Sequence, residues 1–205
     1  MNTPVCNWLG RVLFDDALRI QEETVARKIA NPSEPDVVLL LEHESVFTIG
    51  RTSDRSSLRN PADLPAPLVI IGRGGQATWH GPGQLVGYPL LDLRTRGQDL
   101  HRHLRTLEEM LIALCSHFSV TAGRREGLTG VWAGNRKLAS IGVGVRKWIS
   151  MHGFALNVCG EMEGFSHITP CGIAGVEMTS LTREAGREIS VREAADVFTE
   201  LAISL

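Results

Sequence analysis

Val37-Val-Leu-Leu-Leu41 is five apolar residues in succession, the pattern of a strand buried on both faces, and the fold class follows from what surrounds it. Before it, Phe14–Ala30 reads as a helix, with Asp15 and Asp16 in the first turn, where the helix dipole favours negative charge. After it, Val46–Ile49, Leu68–Ile71 and Leu85–Leu93 read as further strands. Leu100, Leu104, Leu107, Leu111, Leu114 and Phe118 recur at spacings of four and three, so they share one helix face. Strands are expected again at Gly130–Ala133, Lys137–Val145 and His152–Val158. Ser190 and Glu193 form a capping box that opens a helix with Val191, Ala194, Phe198 and Leu201 on its apolar face. Strands crowd the middle, and helices come early, midway and last. The expected fold class is α+β: a mixed β-sheet with packed helices.

The 205 residues match one domain, and nothing in 1–205 is rich enough in breakers to divide it. Arg51–Pro67, with Asn60, Pro61, Pro65 and Pro67, reads as a long surface loop. With 43% hydrophobic and 21% charged residues, the composition is that of a soluble globular protein. No run approaches ~18 apolar residues, so no membrane span is expected. Met1–Asp16 lacks the features of a secretory signal, and the expected location is the cytoplasm. A net charge of −2 argues against a nucleic-acid partner, which calls for a basic surplus. Three lysines (Lys28, Lys137, Lys147) stand against eighteen arginines, so a lysine in apolar surroundings draws attention. The four cysteines, at 6, 115, 159 and 171, form no close pair and are expected as free thiols.

Four stretches carry candidate chemistry. Arg73-Gly-Gly-Gln-Ala-Thr-Trp-His80-Gly-Pro-Gly-Gln84 leads into a strand with Tyr88, and its glycines and Pro82 exclude a regular element. Such a loop either brings backbone N–H groups to a ligand, with Arg73, His80 and Gln84 adding donors, or is a tight corner between strands. It lacks the spacing of a P-loop. In Gly134-Asn-Arg-Lys137-Leu-Ala-Ser-Ile-Gly142, a turn feeding a strand places Lys137, Ala139, Ile141 and Val143 on one face. Lys137 then either serves as a desolvated amine or snorkels to solvent.

In His152-Gly-Phe-Ala-Leu-Asn157, Gly153, Ala155 and Asn157 leave one strand face almost without side-chain volume. That leaves room for a substrate or for close packing. In Ile168-Thr-Pro-Cys171-Gly-Ile, Pro170 and Gly172 set Cys171 on a turn, where a thiol is chemically available. Cys115, between Leu114 and Phe118, reads as core instead. No G-x-S-x-G elbow is present, and His101 and His103 point apart on their helix, so no metal site is expected.

Together these stretches resemble the lipoyl(octanoyl) transferase family. The family pattern RGGxxT-aromatic-HGPGQ matches Arg73–Gln84 with Tyr88 following, RKxAxIG matches Arg136–Gly142, HGxALN matches His152–Asn157, and PCGI matches Pro170–Ile173. An upstream EHxxVFTxGR-like stretch matches Glu42–Arg51, and the five occur in family order across most of 37–181. The resemblance implies a fold similar to the biotin and lipoate protein ligase catalytic domain. It implies a Cys–Lys dyad at Cys171 and Lys137. Substrate contacts would fall on Arg73, Gly74, Gly75, Gln76, Ala77, Thr78, Trp79 and His80, on Ser140, Ile141 and Gly142, and on Gly153, Phe154 and Ala155. Three positions depart from common family residues: Phe14 for Tyr, Ala77 for Val and Trp79 for Tyr.

The resemblance further implies octanoyl-acyl carrier protein as donor. The implied acceptors are lipoyl domains of 2-oxoacid dehydrogenase complexes and the glycine cleavage H protein, with no cofactor. The Lys137 ammonium would stabilise the Cys171 thiolate, and the neutral amine would then act as base. Arg51, Arg55 and Arg59, or Arg94 and Arg96, would meet an acidic partner. An ATP-dependent lipoate ligase on the same fold, a non-catalytic lipoyl-domain or carrier-binding module, and a transferase between two lipoyl proteins are the alternative readings.

Overall fold

The computed structural model describes residues 3–51, 55–172 and 175–204, with the side chains of Cys171 and Ser204 outside that description. In chain order the elements are β1 (Val5–Val12), α1 (Phe14–Ala30), β2 (Val37–His43), β3 (Val46–Ile49), β4 (Leu68–Ile70), β5 (Thr78–His80) and β6 (Gln84–Leu90). There follow α2 (Leu100–His117), β7 (Gly123–Arg125), β8 (Leu128–Ala133), β9 (Arg136–Arg146), β10 (Ile149–Asn157), β11 (Glu177–Met178), α3 (Leu181–Ala185) and α4 (Val191–Leu201). The large sheet runs β1-β2-β6-β10-β9-β8-β7, with β11 alongside β9, and a smaller sheet runs β4-β3-β5. In the large sheet β1 is parallel to β2 and β11 to β9, and the other neighbours are antiparallel. This is the mixed α+β arrangement expected.

The apolar run in β2 is explained by what lies on each face of the sheet. Val38 and Leu40 enter the core shared with α2 and α4, whereas Leu39 and Leu41 enter the core under α1. Alternation disappears because both faces are dry. α2 buries Leu107, Leu111 and Leu114 completely, and α4 buries Phe198 against Phe154 of β10, ring centroids 4.8 Å apart. The Ser190 hydroxyl caps α4 by accepting from the Glu193 N–H at 3.1 Å.

Several details differ from the sequence reading. Arg73–Gln84 was expected to hold no regular element, but Thr78–His80 forms β5, antiparallel to β3. β1 was not anticipated; it pairs with β2 from Val5 to Val12. β6 stops at Leu90, because the Asp92 carboxylate accepts from the Arg94 N–H at 2.9 Å and starts a 3-10 turn over Leu93–Arg96. The loop expected on the surface at Arg51–Pro67 turns partly inward, burying Ser57 and Leu58, and Leu58 bridges to Ile168. Arg94 and Arg96 pair with Asp92 and Asp36 at 2.6 and 2.8 Å, which offsets their charge, while Arg55 and Arg59 stay exposed.

Candidate active site

The glycine-rich loop lies flat on β9, and the reason is steric. A Cβ on Gly142 would stand 2.9 Å from Arg73 Cδ, and one on Gly144 would stand 2.6 Å from the Gly72 carbonyl. Side chains there would lift the loop off the sheet. The Gly74 N–H donates to the Val143 carbonyl at 3.2 Å and fixes the contact. Arg73 spends its guanidinium on the loop itself, donating to the Gly74 and Gln76 carbonyls at 3.0 Å and to the Thr48 carbonyl and hydroxyl at 2.9 Å. The upstream stretch Glu42–Arg51 is therefore scaffold: Thr48 holds Arg73, and Glu42 accepts the Gly83 N–H at 2.8 Å.

Between loop and sheet lies a cavity of about 70 Å³. Of the fourteen substrate residues implied by the resemblance, thirteen line it: Arg73, Gly74, Gly75, Gln76, Ala77, Thr78, His80, Ser140, Ile141, Gly142, Gly153, Phe154 and Ala155. Trp79 does not. Alternation along β5 turns its ring away from the cavity, edge-on to Phe165 with centroids 5.4 Å apart. Gly153 also serves packing, since a Cβ there would strike the Gly87 carbonyl of β6 at 2.3 Å.

Three lining residues, Ile71, Tyr88 and His152, had no assigned role in the sequence. Tyr88 and His152 belong to a buried polar cluster, their ring centroids 6.4 Å apart, whereas Ile71 packs with Phe14 and Val46. His43 donates through Nδ1 to the Val12 carbonyl at 3.1 Å, so its Nε2 accepts the Tyr88 hydroxyl at 2.7 Å. His80 donates through Nδ1 to Gln84 Oε1 at 2.8 Å, and the amide of Gln84 donates to Asn157 Oδ1 at 3.0 Å. Asn157 in turn donates to the Thr179 carbonyl at 3.0 Å, and the Thr179 N–H donates to the Lys137 carbonyl at 2.9 Å.

Burial lowers the pKa of His43 to about 4 and of His80 to about 3. His152 falls to about 4, through burial first and then the Arg73 and Arg51 charges. Burial raises the Tyr88 phenol. All four are neutral near pH 7. His152 also holds φ 57 within β10, a costly conformation for a side-chain-bearing residue, and its N–H is met by Gln21 Oε1 of α1 at 2.9 Å.

Lys137 does not snorkel; it is 1% exposed. Its Nζ donates to the Thr129 carbonyl at 3.3 Å and lies 5.3 Å from the centroid of the Trp132 ring. Trp132 stands opposite Lys137 in the β8–β9 hairpin, which is why the ring reaches the ammonium. The ammonium occupies space that Gly130 leaves empty. The Gly130 N–H is held by Glu108 Oε1 at 3.0 Å, and Glu108 Oε2 accepts from Arg105 and Arg124 at 2.6 and 2.8 Å. A readable signal for Glu108 existed: a carboxylate on the apolar stripe of α2. Lys28, the second buried lysine, is a structural ion pair with Asp36 at 2.7 Å.

Cys171 sits in a 3-10 turn, Pro170–Gly172, as its Pro–Gly context predicts; its side chain and Ile173 lie outside the described residues. Two anchors place the turn. The Thr169 N–H donates to the Ser57 carbonyl at 2.7 Å, and Ser57 Oγ donates to Gln76 Oε1 at 3.1 Å. A Cβ on Gly172 would lie 3.4 Å from Gln76 Cγ, so the cysteine turn rests against the glycine loop. Of the remaining cysteines, Cys115 is core, its thiol pushed up to about 12 by burial. Burial also raises Cys6 and Cys159. Among the described residues no His, Cys, Asp and Glu groups gather as a metal site.

The lipoyl protein ligase A/B catalytic domain matches residues 15–202. The octanoyltransferase of Geobacter sulfurreducens is 52% identical over 186 residues, covering 91% of this chain and 77% of that protein. In fold, the chain is similar to lipoate-protein ligase A bound with ATP, with a TM-score of 0.71 at 16% identity over 98% of this chain and 85% of that one. The biotin protein ligase of Aquifex aeolicus gives a TM-score of 0.52 at 13% identity, over 99% and 68%. These two likenesses concern the fold alone. The chain belongs to the lipoyl protein ligase A/B catalytic domain family. Within it, the sequence falls with the octanoyltransferases, and the protein is an acyltransferase of protein lipoylation.

Proposed function

We propose that this chain moves an octanoyl group from acyl carrier protein to a lysine of lipoyl domains through a thioester on Cys171, in the cytoplasm and without a cofactor. The acceptors in this reading are the lipoyl domains of 2-oxoacid dehydrogenase complexes and the glycine cleavage H protein. One observation carries it. Gln76 lines the cavity, touches the turn that bears Cys171, and borders the groove that contains Lys137. A chain whose tail lies in the cavity thus has its carbonyl end directed toward both residues.

The Cys171 thiolate attacks the thioester carbonyl, and the tetrahedral intermediate expels the carrier thiolate, which takes its proton from the Lys137 ammonium and leaves that amine neutral. One thioester replaces another at nearly equal free energy, so no ATP is consumed. The neutral acceptor amine then attacks the acyl-cysteine; as the C–N bond forms, its nitrogen gives a proton to neutral Lys137, and collapse of the intermediate breaks the C–S bond and releases the Cys171 thiolate beside the re-formed ammonium. The bond to Thr129 holds the Lys137 Nζ in both steps, and the cation–π contact with Trp132 holds it while it is an ammonium.

Intact-mass analysis after incubation with octanoyl-acyl carrier protein tests this. The wild type gains about 126 Da on Cys171, and Cys171→Ala and Cys171→Ser gain nothing. A wild type that turns over only with ATP, or that never carries the adduct, would sink the mechanism.

A further inference from the structure

We propose that the groove between α2 and the β7–β8 turn binds the amide-bearing, pantetheine-type arm of the thioester donor. The inference rests on the thioester reading above and adds a second subsite to it. The groove, of about 400 Å³, shares Gly74, Gly75, Gln76, Ile141 and Gly142 with the acyl cavity. Lys137 lines the groove and not the cavity. The reacting carbonyl therefore belongs at the junction. With the acyl tail in the cavity, whatever the carbonyl is bonded to leaves through the groove.

The walls match that occupant. Leu107, Leu111 and Leu114 of α2 are fully buried, but Leu100 is 36% exposed and Leu104 is only partly covered, and both face the groove. The apolar stripe of α2 thus runs past the core and lines a channel from the surface. Opposite stand Gly127, Leu128 and Thr129. Apolar walls interrupted by loop amides and a threonine suit an extended chain of methylenes and amides. Amide content separates the two protein-borne arms that react at this centre. An acceptor lysine carries four methylenes and no amide between its backbone and its amine, so it leaves the loop amides and the threonine of the groove unmatched. The pantetheine-type arm carries two amides.

The test compares octanoyl-pantetheine with octanoyl-N-acetylcysteamine, which lacks most of the arm, as donors for acyl-Cys171 formation by rapid-quench intact mass. The wild type acylates about tenfold faster, in kcat/KM, with the longer donor, because remote binding is used at the reacting centre. Leu104→Trp, which fills the groove, brings the two donors within about twofold of each other. Leu100→Trp, at the exposed mouth, gives the same direction of change if Leu104→Trp does not fold. Equal rates for both donors on the wild type overturn the groove assignment while leaving the thioester reading intact. So does a tryptophan variant whose defect appears only in transfer from acyl-Cys171 to a lipoyl lysine. No adduct from either donor removes the thioester reading itself, and the groove with it.

Discussion

Gly130 and Lys137 occupy one space between them: a Cβ at position 130 would stand 3.0 Å from Lys137 Cε and 3.4 Å from its Nζ. The same Cβ would lie 2.5 Å from the Ala139 carbonyl, and Gly130 holds φ +127, where other residues are strained. Gly130→Ala is therefore expected to displace the lysine and to cost about 1–3 kcal/mol of stability. Acyl-Cys171 should form at least about tenfold more slowly, since an ångström-scale misplacement weakens a positioned group. Thermal melting and single-turnover acylation measure the two effects separately. A variant that melts lower but acylates at the wild-type rate would show that the glycine serves the backbone alone.

Trp132 is a positioning residue through the same lysine. A desolvated cation–π contact contributes about 2 kcal/mol, and at 1.4 kcal/mol per decade this corresponds to more than tenfold in rate if the contact tightens at the transition state. Trp132→Leu should slow acylation by about that factor while leaving the donor KM within about twofold, because Trp132 lines neither the cavity nor the groove. Trp132→Phe keeps a ring face and should recover most of the loss. Equal defects in both variants would reduce Trp132 to a core residue.

The buried histidines make the fold sensitive to acid. His43, His103 and His152 are lowered to about 4 and His80 to about 3, each chiefly by burial. Their ordinary value is about 6.5. Below that, the unfolded chain binds protons that the folded chain refuses, so stability is fully present above pH 6.5 and is lost as pH falls toward 4. Calorimetric Tm should change little on their account between pH 7 and 8 and decline steadily between about pH 6.5 and 4. His80→Asn keeps a donor for Gln84 and removes a proton site, so its decline should be shallower. A variant slope equal to the wild type would mean that other groups govern the acid limb.

The sequence made the secondary structure legible wherever one periodicity dominated. α1, with Phe14–Ala30 as its bounds, was readable from Asp15 and Asp16 in its first turn, and α4 because its Ser190 cap and apolar stripe agree. β1 was not, since Asn7, Gly10 and Arg11 interrupt any alternation, and its pairing with β2 supplies what the pattern lacks. The motif residues of the site were legible, but the reasons for them were not. Gly142 and Gly144 are glycines because a loop some seventy positions earlier lies on them, a contact that spacing cannot reveal. Glu108, Trp132 and Gly130, which position Lys137, match no motif quoted above. They emerge only once the hairpin register sets Trp132 across from Lys137.

Ala77 and Trp79 both depart from common family residues and both pack in the cluster that holds Phe47 and Phe165, but only Ala77, just before β5, also lines the cavity. Ala77 is 2% exposed and lines the cavity, whereas the Trp79 ring is clasped between Gly81 and Gly164, where added Cβ atoms would strike it at 2.1 and 2.3 Å. Chain-length preference should therefore follow position 77 and not 79. Each buried methylene contributes about 0.8 kcal/mol, so two are worth about 1.6 kcal/mol, or roughly tenfold in kcat/KM. Ala77→Val narrows the cavity with the residue common in an octanoyl-transferring family, so it should slow decanoyl donors by roughly tenfold relative to octanoyl, with the octanoyl rate nearly retained. Trp79→Tyr should leave that ratio within about twofold and lower Tm by a few degrees through lost contact with Phe165. Competition between octanoyl and decanoyl thioesters, scored by the masses of acyl-Cys171, measures both. A shift in chain preference with Trp79→Tyr and none with Ala77→Val would place the acyl chain on the Phe165 side of β5 and overturn the assignment of the cavity.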